Sequence, residues 1–118
     1  MLRFAAVLMI ALGSAARAPL HFSLVKSTPA ADQTITAPLK RVQIWFSETP
    51  APGVSQIKIL GADKTALPAG KTVIDKDKSM YAELASPLAA GAYVVSWRAA
   101  GDDGHVMSGE IKFKVAQK

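Results

Sequence analysis

Short segments in which apolar and polar side chains alternate constrain the fold of this chain more than any other feature. In residues 109–115, Ile111, Phe113 and Val115 fall on one face, while Glu110 and two lysines fall on the other. The same alternation occurs in residues 41–47, 55–60 and 92–98, and more weakly in residues 22–27, 34–37, 72–75 and 80–84. A period of two predicts β-strands that are buried on one face.

Turns that contain proline or glycine separate these segments, and no stretch shows the periodicity of an amphipathic helix. Residues 50–53, 60–63 and 68–70 are examples of such turns. About seven short strands at intervals of roughly ten residues predict an all-β domain. We therefore expect a seven-stranded antiparallel Greek-key β-sandwich or barrel that is Ig-like, with a cupredoxin-like topology as an alternative.

Residues 88–97 read L-x-x-G-x-Y-x-V-x-W, which is the pattern of a tyrosine corner. In this motif a tyrosine at the entry to a strand donates a hydrogen bond from its hydroxyl to upstream backbone. We expect Tyr93 and Trp97 to be core residues. The alternative is that their rings stack on a ligand.

The first 18 residues are typical of a secretory signal peptide. Arg3 precedes an apolar run over residues 4–12, and small residues follow, ending in Ala16-Arg17-Ala18. The run is too short to span a membrane, which takes about 20 apolar residues. We expect residues 1–18 to be removed on export, with the exact end between residues 16 and 20, and the mature chain not to insert into a membrane.

The chain has no cysteine, which excludes thiolate metal sites and thiol chemistry. About 100 residues can form a stable core without disulfides. Loss of Arg3 and Arg17 with the signal would leave 12 basic and 9 acidic residues, and the basic residues are scattered among the acids. This distribution does not indicate binding to nucleic acid.

Asp103-Gly104-His105 is the first of two features that indicate a metal site. In an extended segment, residues i and i+2 project to the same side, so Asp103 and His105 would point together. A carboxylate beside an imidazole forms half of a site for Cu(II) or Zn(II). Taken alone, the triplet is weak evidence, because such a triplet is more often a surface loop that carries a solvated histidine.

His21 is the second feature, because it lies within a few residues of every plausible cleavage point. Export would create a free α-amine close to its imidazole, and such a nitrogen pair suits the tetragonal coordination of Cu(II). An N-terminal strand laid beside residues 104–106 would bring His21, Asp103 and His105 together.

At these residues the chain closely resembles the CopC family of periplasmic copper-binding proteins. The matching residues are His21-x-x-Leu24-Val25-x-Ser27-x-Pro29-Ala30, Phe46-Ser47-Glu48, Leu88-x-x-Gly91-x-Tyr93-x-Val95-x-Trp97-Arg98 and Asp103-Gly104-His105-x-x-x-Gly109-x-x-x-Phe113-x-Val115. They extend over nearly all of the mature chain. Their ordered combination is specific, although each piece alone is not.

The resemblance implies a seven-stranded domain over residues 19–118 that binds one Cu(II) per chain in the periplasm. It implies His21, Asp103 and His105 as the copper ligands, with Glu48 orienting His21 or, alternatively, lying on the surface without a partner. A role in copper tolerance or uptake follows, through buffering or delivery to an inner-membrane importer of the CopD type. A monomer without enzymatic activity is expected.

Two departures from the family pattern concern methionine and the signal cleavage site. Only Met80 and Met107 remain after the signal, so a Met-rich Cu(I) site of the kind some members carry is not expected, and both are interpreted as packing residues. Met107 could lie near the copper without binding it. If Pro19 were the first residue, His21 would be the third, and a square-planar site that depends less on Asp103 and His105 would form.

Two other functions remain open from the sequence. One is a copper monooxygenase with an N-terminal histidine brace, although the chain is short and shows no flat aromatic face for a polymer. The other is a metal-free Ig-like interaction module.

Overall fold

The computed structural model describes residues 22–116, and these residues form eight strands in two four-stranded sheets. The strands are β1 (Leu24–Thr28), β2 (Thr34–Ile35), β3 (Arg41–Phe46), β4 (Gln56–Leu60), β5 (Val73–Ile74), β6 (Ser79–Glu83), β7 (Gly91–Ala100) and β8 (Val106–Val115). Every segment predicted from alternation overlaps one of them. Within the described residues, no helix is long and apolar enough to cross a membrane.

The order of the strands is crossed, as expected for a Greek-key sandwich. One sheet has the order β1-β3-β6-β5 and the other the order β2-β8-β7-β4, so the chain passes repeatedly between the layers. The all-β prediction is confirmed, and the two separate sheets make the fold a sandwich rather than a closed barrel. The expectation of purely antiparallel pairing is wrong at one edge, because β2 runs parallel to β8. Backbone bonds from Asp32 to Lys112 and from Lys114 to Gln33 hold this edge.

The core lies between the sheets and consists of the residues that alternation placed on the inner faces. Val42 and Ile44 of β3 and Val95 of β7 are fully buried, as are Met80 and Ala82 of β6. Burial of one such aliphatic side chain stabilises the fold by about 1.5–3 kcal/mol relative to exposure. The two-residue period therefore reflects the contact between the sheets.

The tyrosine corner is present in the structure. The Tyr93 hydroxyl donates a hydrogen bond of 2.6 Å to the carbonyl oxygen of Ala89, and its ring stacks on Phe113 at 5.5 Å. Trp97 is buried over Gly109, the residue opposite it on β8. A Cβ atom at Gly109 would lie 2.8 Å from the Trp97 ring, so this pairing requires glycine. The core interpretation of Tyr93 and Trp97 is confirmed.

The β7–β8 hairpin positions the candidate site. Its two ten-residue strands pair without interruption from Gly91–Val115 to Ala100–Val106. Residues 101–105 form the turn between them, at the same end of the sandwich as the start of β1 and the end of β3. Long pairing fixes where this turn lies relative to the rest of the domain.

Candidate metal centre

Asp103 and His105 meet in a tight turn rather than in an extended segment. The Gly104 N–H donates a hydrogen bond of 3.1 Å to the Gly101 carbonyl, and Gly104 has a φ of 78°, which favours glycine. The sequence prediction that the two side chains point together is correct in outcome but wrong in its reason. The turn, and not the two-residue period of a strand, brings them together.

Both side-chain oxygens of Asp103 contact His105. The Oδ1 atom accepts the backbone N–H of His105 at 3.0 Å, and the Oδ2 atom lies 3.1 Å from the His105 Nδ1 atom. The backbone hydrogen bond, followed by the contact with the imidazole, lowers the pKa of Asp103 below the usual range of an aspartate. Asp103 is therefore a carboxylate at neutral pH.

The His105 side chain is 87% exposed and that of Asp103 is 53% exposed. The pair is accessible to an ion from solvent, and neither group is held away from water by burial. Carboxylate oxygen and imidazole nitrogen are donors for Cu(II) and Zn(II). The described residues contain no group of three or more His, Cys, Asp or Glu side chains that could hold a metal.

Phe46-Ser47-Glu48, at the end of β3, contacts both the start of the described chain and the turn at residues 101–105. The Phe46 ring stacks on Phe22 with centroids 4.7 Å apart, and Ser47 exchanges hydrogen bonds with Ser23 through its Oγ and its N–H. The Oε1 atom of Glu48 accepts the backbone N–H of Asp102 at 3.1 Å. Glu48 is half-buried and contacts the turn, so the alternative of a surface glutamate without a partner is wrong.

Gly101 allows this close packing. A Cβ atom there would lie 2.7 Å from Glu48 Oε1 and 2.8 Å from the Phe22 ring. Any larger residue would force the turn away from Phe22 or Glu48. The glycine is therefore required by contact between three segments of the chain.

A pocket of about 270 Å³ lies between the turn and the first described residues. It is lined by Phe22, Ser23, Asp103, His105 and Met107. Asp103 and His105 thus share one pocket with the residue that follows His21 in the chain. His21 itself lies outside the described residues, so its predicted role as a ligand remains a prediction.

The expected N-terminal strand beside residues 104–106 is not formed by the described part of the N-terminal segment. β1 begins at Leu24 and pairs with β3 in the other sheet. Phe22 reaches the turn through its side chain instead, because its ring is buried against Phe46. The two regions approach each other through packing and not through a strand ladder.

Met107 lines the pocket, in agreement with the alternative that it lies near the candidate metal site and not with a packing role. Met107 is 41% exposed, whereas Met80 is fully buried as expected of a packing residue. The signal that could have located Met107 was the alternation of β8. Continued back from Phe113 and Ile111 through Gly109, it puts residue 107 on the inner face.

The fold and the pocket together define a small two-sheet β-sandwich with a carboxylate–imidazole pair at one end. The chain matches the CopC domain family over residues 24–116, and it belongs to this family. Copper resistance protein C of Pseudomonas syringae pv. tomato is 37% identical over 110 residues, which is 85% of this chain and 84% of that protein. The chain is therefore a member of a family of copper-binding resistance proteins, which are not enzymes.

Two further proteins that the chain resembles are a solved structure and a much longer curated relative. The crystal structure of CopC from Methylosinus trichosporium OB3b is 30% identical, covers 82% of this chain and 95% of that chain, and superposes with a TM-score of 0.72. Copper transport protein CutJ of Bacillus subtilis is 30% identical over 99 residues, which is 82% of this chain but 18% of CutJ. Family membership speaks against both the monooxygenase and the metal-free module.

Proposed function

We propose that this protein binds one Cu(II) ion per chain in the periplasm through His21, Asp103 and His105. We propose that it then buffers the ion or delivers it to an inner-membrane importer of the CopD type. The observation that carries the proposal is the Asp103–His105 pair in a pocket lined by Phe22, the neighbour of His21.

The spacing of the pair fits adjacent positions around one ion. Asp103 Oδ2 and His105 Nδ1 are 3.1 Å apart. If an ion lay about 2.0–2.1 Å from each atom, the ligand–metal–ligand angle would be roughly 95–100°. Tetragonal Cu(II) places neighbouring ligands near a right angle, so the pair can act as cis ligands once bonds to the ion replace the direct Nδ1–Oδ2 contact.

The connection to Phe22 supports His21 as the third ligand. Consecutive Cα atoms lie about 3.8 Å apart, and Phe22 is fixed in the pocket by stacking on Phe46. If processing makes His21 the first residue, its α-amine and imidazole can complete a set of three nitrogens and one oxygen. If it makes Pro19 the first residue, His21 binds copper through the amino-terminal backbone instead.

Glu48 is proposed to orient His21. Its Oε1 atom accepts the Asp102 N–H and, like the Phe22 ring, lies directly against Gly101. A carboxylate at this point can accept a hydrogen bond from a ring N–H, which fixes the orientation of a metal-binding imidazole.

Export and delivery rest on two further observations. The first 18 residues have the pattern of a signal peptide, and residues 19–118 would then form the mature domain. The similarity to part of the much longer copper transport protein CutJ supports delivery to a transporter. Exposed Val106 and Met107 beside His105 give such a partner apolar surface to contact.

The proposal is tested on the protein recovered from the periplasm after natural processing. Its intact mass with and without Cu(II) should show one copper per monomer and identify the first residue. Equilibrium dialysis against Cu(II) should retain one ion. A processed protein that retains no copper would overturn the proposal and favour a metal-free interaction module.

A further inference from the structure

The inner face of β8 continues beyond the core into the candidate copper pocket. Ile111 and Phe113 are buried, Gly109 lies under Trp97, and Met107 comes next on the same face opposite Ala99. Met107 lies past the end of the core, where it is 41% exposed and lines the pocket with Asp103 and His105.

The two methionines of the described chain occupy different environments. Met80 is fully buried in the middle of the core, where its thioether serves packing. Met107 is exposed to a pocket whose other side chains include an imidazole and a carboxylate. A thioether is a soft ligand that favours Cu(I), whereas a carboxylate favours harder ions.

We propose that Met107 and His105 bind Cu(I) in this pocket, so that one pocket accepts copper in either oxidation state. Asp103 and His105 serve Cu(II), and Met107 replaces the carboxylate as the preferred partner of His105 for Cu(I). The inference rests on the proposed copper pocket but adds a ligand and an oxidation state to it. It requires no methionine cluster, because one thioether is placed beside an imidazole that is already a ligand.

The exposed position of Met107 distinguishes this role from packing. A side chain that merely filled the end of the core would be as buried as Ile111, which is 5% exposed. Leucine offers a similar volume and apolar surface without sulfur. The substitution Met107→Leu therefore removes the ligand while leaving the packing contribution largely in place.

The experiment compares the processed wild-type protein with Met107→Leu and with Met80→Leu as the matched control. Cu(I), kept reduced with ascorbate, is titrated in competition with the chelator bicinchoninate, and Cu(II) affinity is measured separately without reductant. We expect Met107→Leu to lose Cu(I) affinity by tenfold or more while its Cu(II) affinity changes less than twofold. Met80→Leu should change neither affinity.

A selective tenfold loss of Cu(I) affinity should also lower the reduction potential of the bound copper by about 59 mV. Unchanged Cu(I) affinity in Met107→Leu would overturn the inference while leaving Cu(II) binding intact. A wild-type protein that fails to bind Cu(II) would instead overturn the proposed function. An equal loss of Cu(I) and Cu(II) affinity in Met107→Leu would show a general effect on the pocket and would also contradict the inference.

Discussion

Two turns at opposite ends of the same sheet have nearly the same local structure. Residues 61–65 follow β4 and residues 101–105 follow β7, and both turns begin with glycine and carry aspartate at the third position. In each, the fourth residue has a positive φ, 66° in Lys64 and 78° in Gly104, and donates to the first carbonyl. In each, the aspartate Oδ1 accepts the N–H of the fifth residue at 3.0 Å.

The two turns differ in the fifth residue and in their surroundings. The first ends in Thr65 and borders a larger pocket whose charged lining residues are three lysines and one aspartate, so its net positive charge disfavours a cation: Lys64, Lys112, Lys114 and Asp32. The second ends in His105 and borders the pocket with Phe22 and Met107.

The backbone hydrogen bond to the fifth residue lowers the pKa of Asp63 and of Asp103 alike. A lowered aspartate pKa and an aspartate that accepts the N–H of the fifth residue are therefore properties of this type of turn. They do not by themselves indicate a metal site. The imidazole and the approach of the N-terminal segment are what distinguish the turn at residues 101–105. Matched substitutions in the two turns can test this distinction.

The largest effect is expected for His105→Ala compared with Thr65→Ala. Removal of the imidazole should weaken Cu(II) binding by roughly 100-fold or more, since even substitutions outside the ligand set cost 10–100-fold. Thr65→Ala should leave copper affinity unchanged. Competition titration with a Cu(II) chelator measures the copper affinity of both variants. Undiminished affinity in His105→Ala would contradict the assignment of His105 as a ligand.

The next effect is expected for Asp103→Asn compared with Asp63→Asn. An asparagine oxygen can still accept the backbone N–H, so both variants should keep their turns. Only Asp103→Asn removes the charge of a proposed ligand, and we expect it to lose about 10–100-fold in Cu(II) affinity. Equal affinities of the two variants in the same titration would show that the Asp103 carboxylate is not a ligand.

A smaller effect is expected for Glu48→Gln, with Glu83→Gln as its control. The glutamine can still accept the Asp102 N–H but carries no charge to stabilise a ring N–H, so affinity should fall by up to about tenfold. Glu83 lies on β6 and pairs with Arg41 at the start of β3, the opposite end of that strand from Glu48, so its substitution should have no effect on copper. A Glu83→Gln loss as large as that of Glu48→Gln would refute a local role for Glu48.

The smallest effect is expected when the imidazole alone is transferred to the other turn. Thr65→His creates an Asp-x-His turn in the same backbone geometry but beside three lysines and far from the N-terminal segment. The variant should still bind one tightly held Cu(II), as measured by the metal content after dialysis. A second ion of similar affinity would show that the turn alone makes the site.

The sequence predicted much of the fold because the alternation of β3, β7 and β8 corresponds to burial between the sheets. It also predicted the tyrosine corner, whose hydrogen bond joins residues only four apart. The parallel pairing of β2 with β8 was not predicted from the sequence. That pairing depends on the direction of the chain at the sheet edge, and a two-residue strand carries no sequence pattern that indicates it.

At the site, the residue types predicted Asp103 and His105 correctly as neighbours, but the contacts around them could not be read from spacing. Gly101, Glu48 and Phe22 meet from three separate segments, and only the folded chain shows that a Cβ at Gly101 would not fit. The position of Met107 in the pocket also depends on where the core ends along β8. The role of His21 remains a prediction, because that residue lies outside the part of the chain that the structure describes.

Joint binding of Cu(II) by His21 and His105 is tested by pulsed EPR, which counts the imidazoles bound to Cu(II) in the processed protein. The chain has two histidines, so the count identifies them when wild type is compared with His105→Ala. Two coupled imidazoles are expected in the wild type and one in His105→Ala, together with weaker binding. A single imidazole in the wild type that persists in His105→Ala would contradict joint binding, because copper would then be held at the amino terminus without the β7–β8 turn.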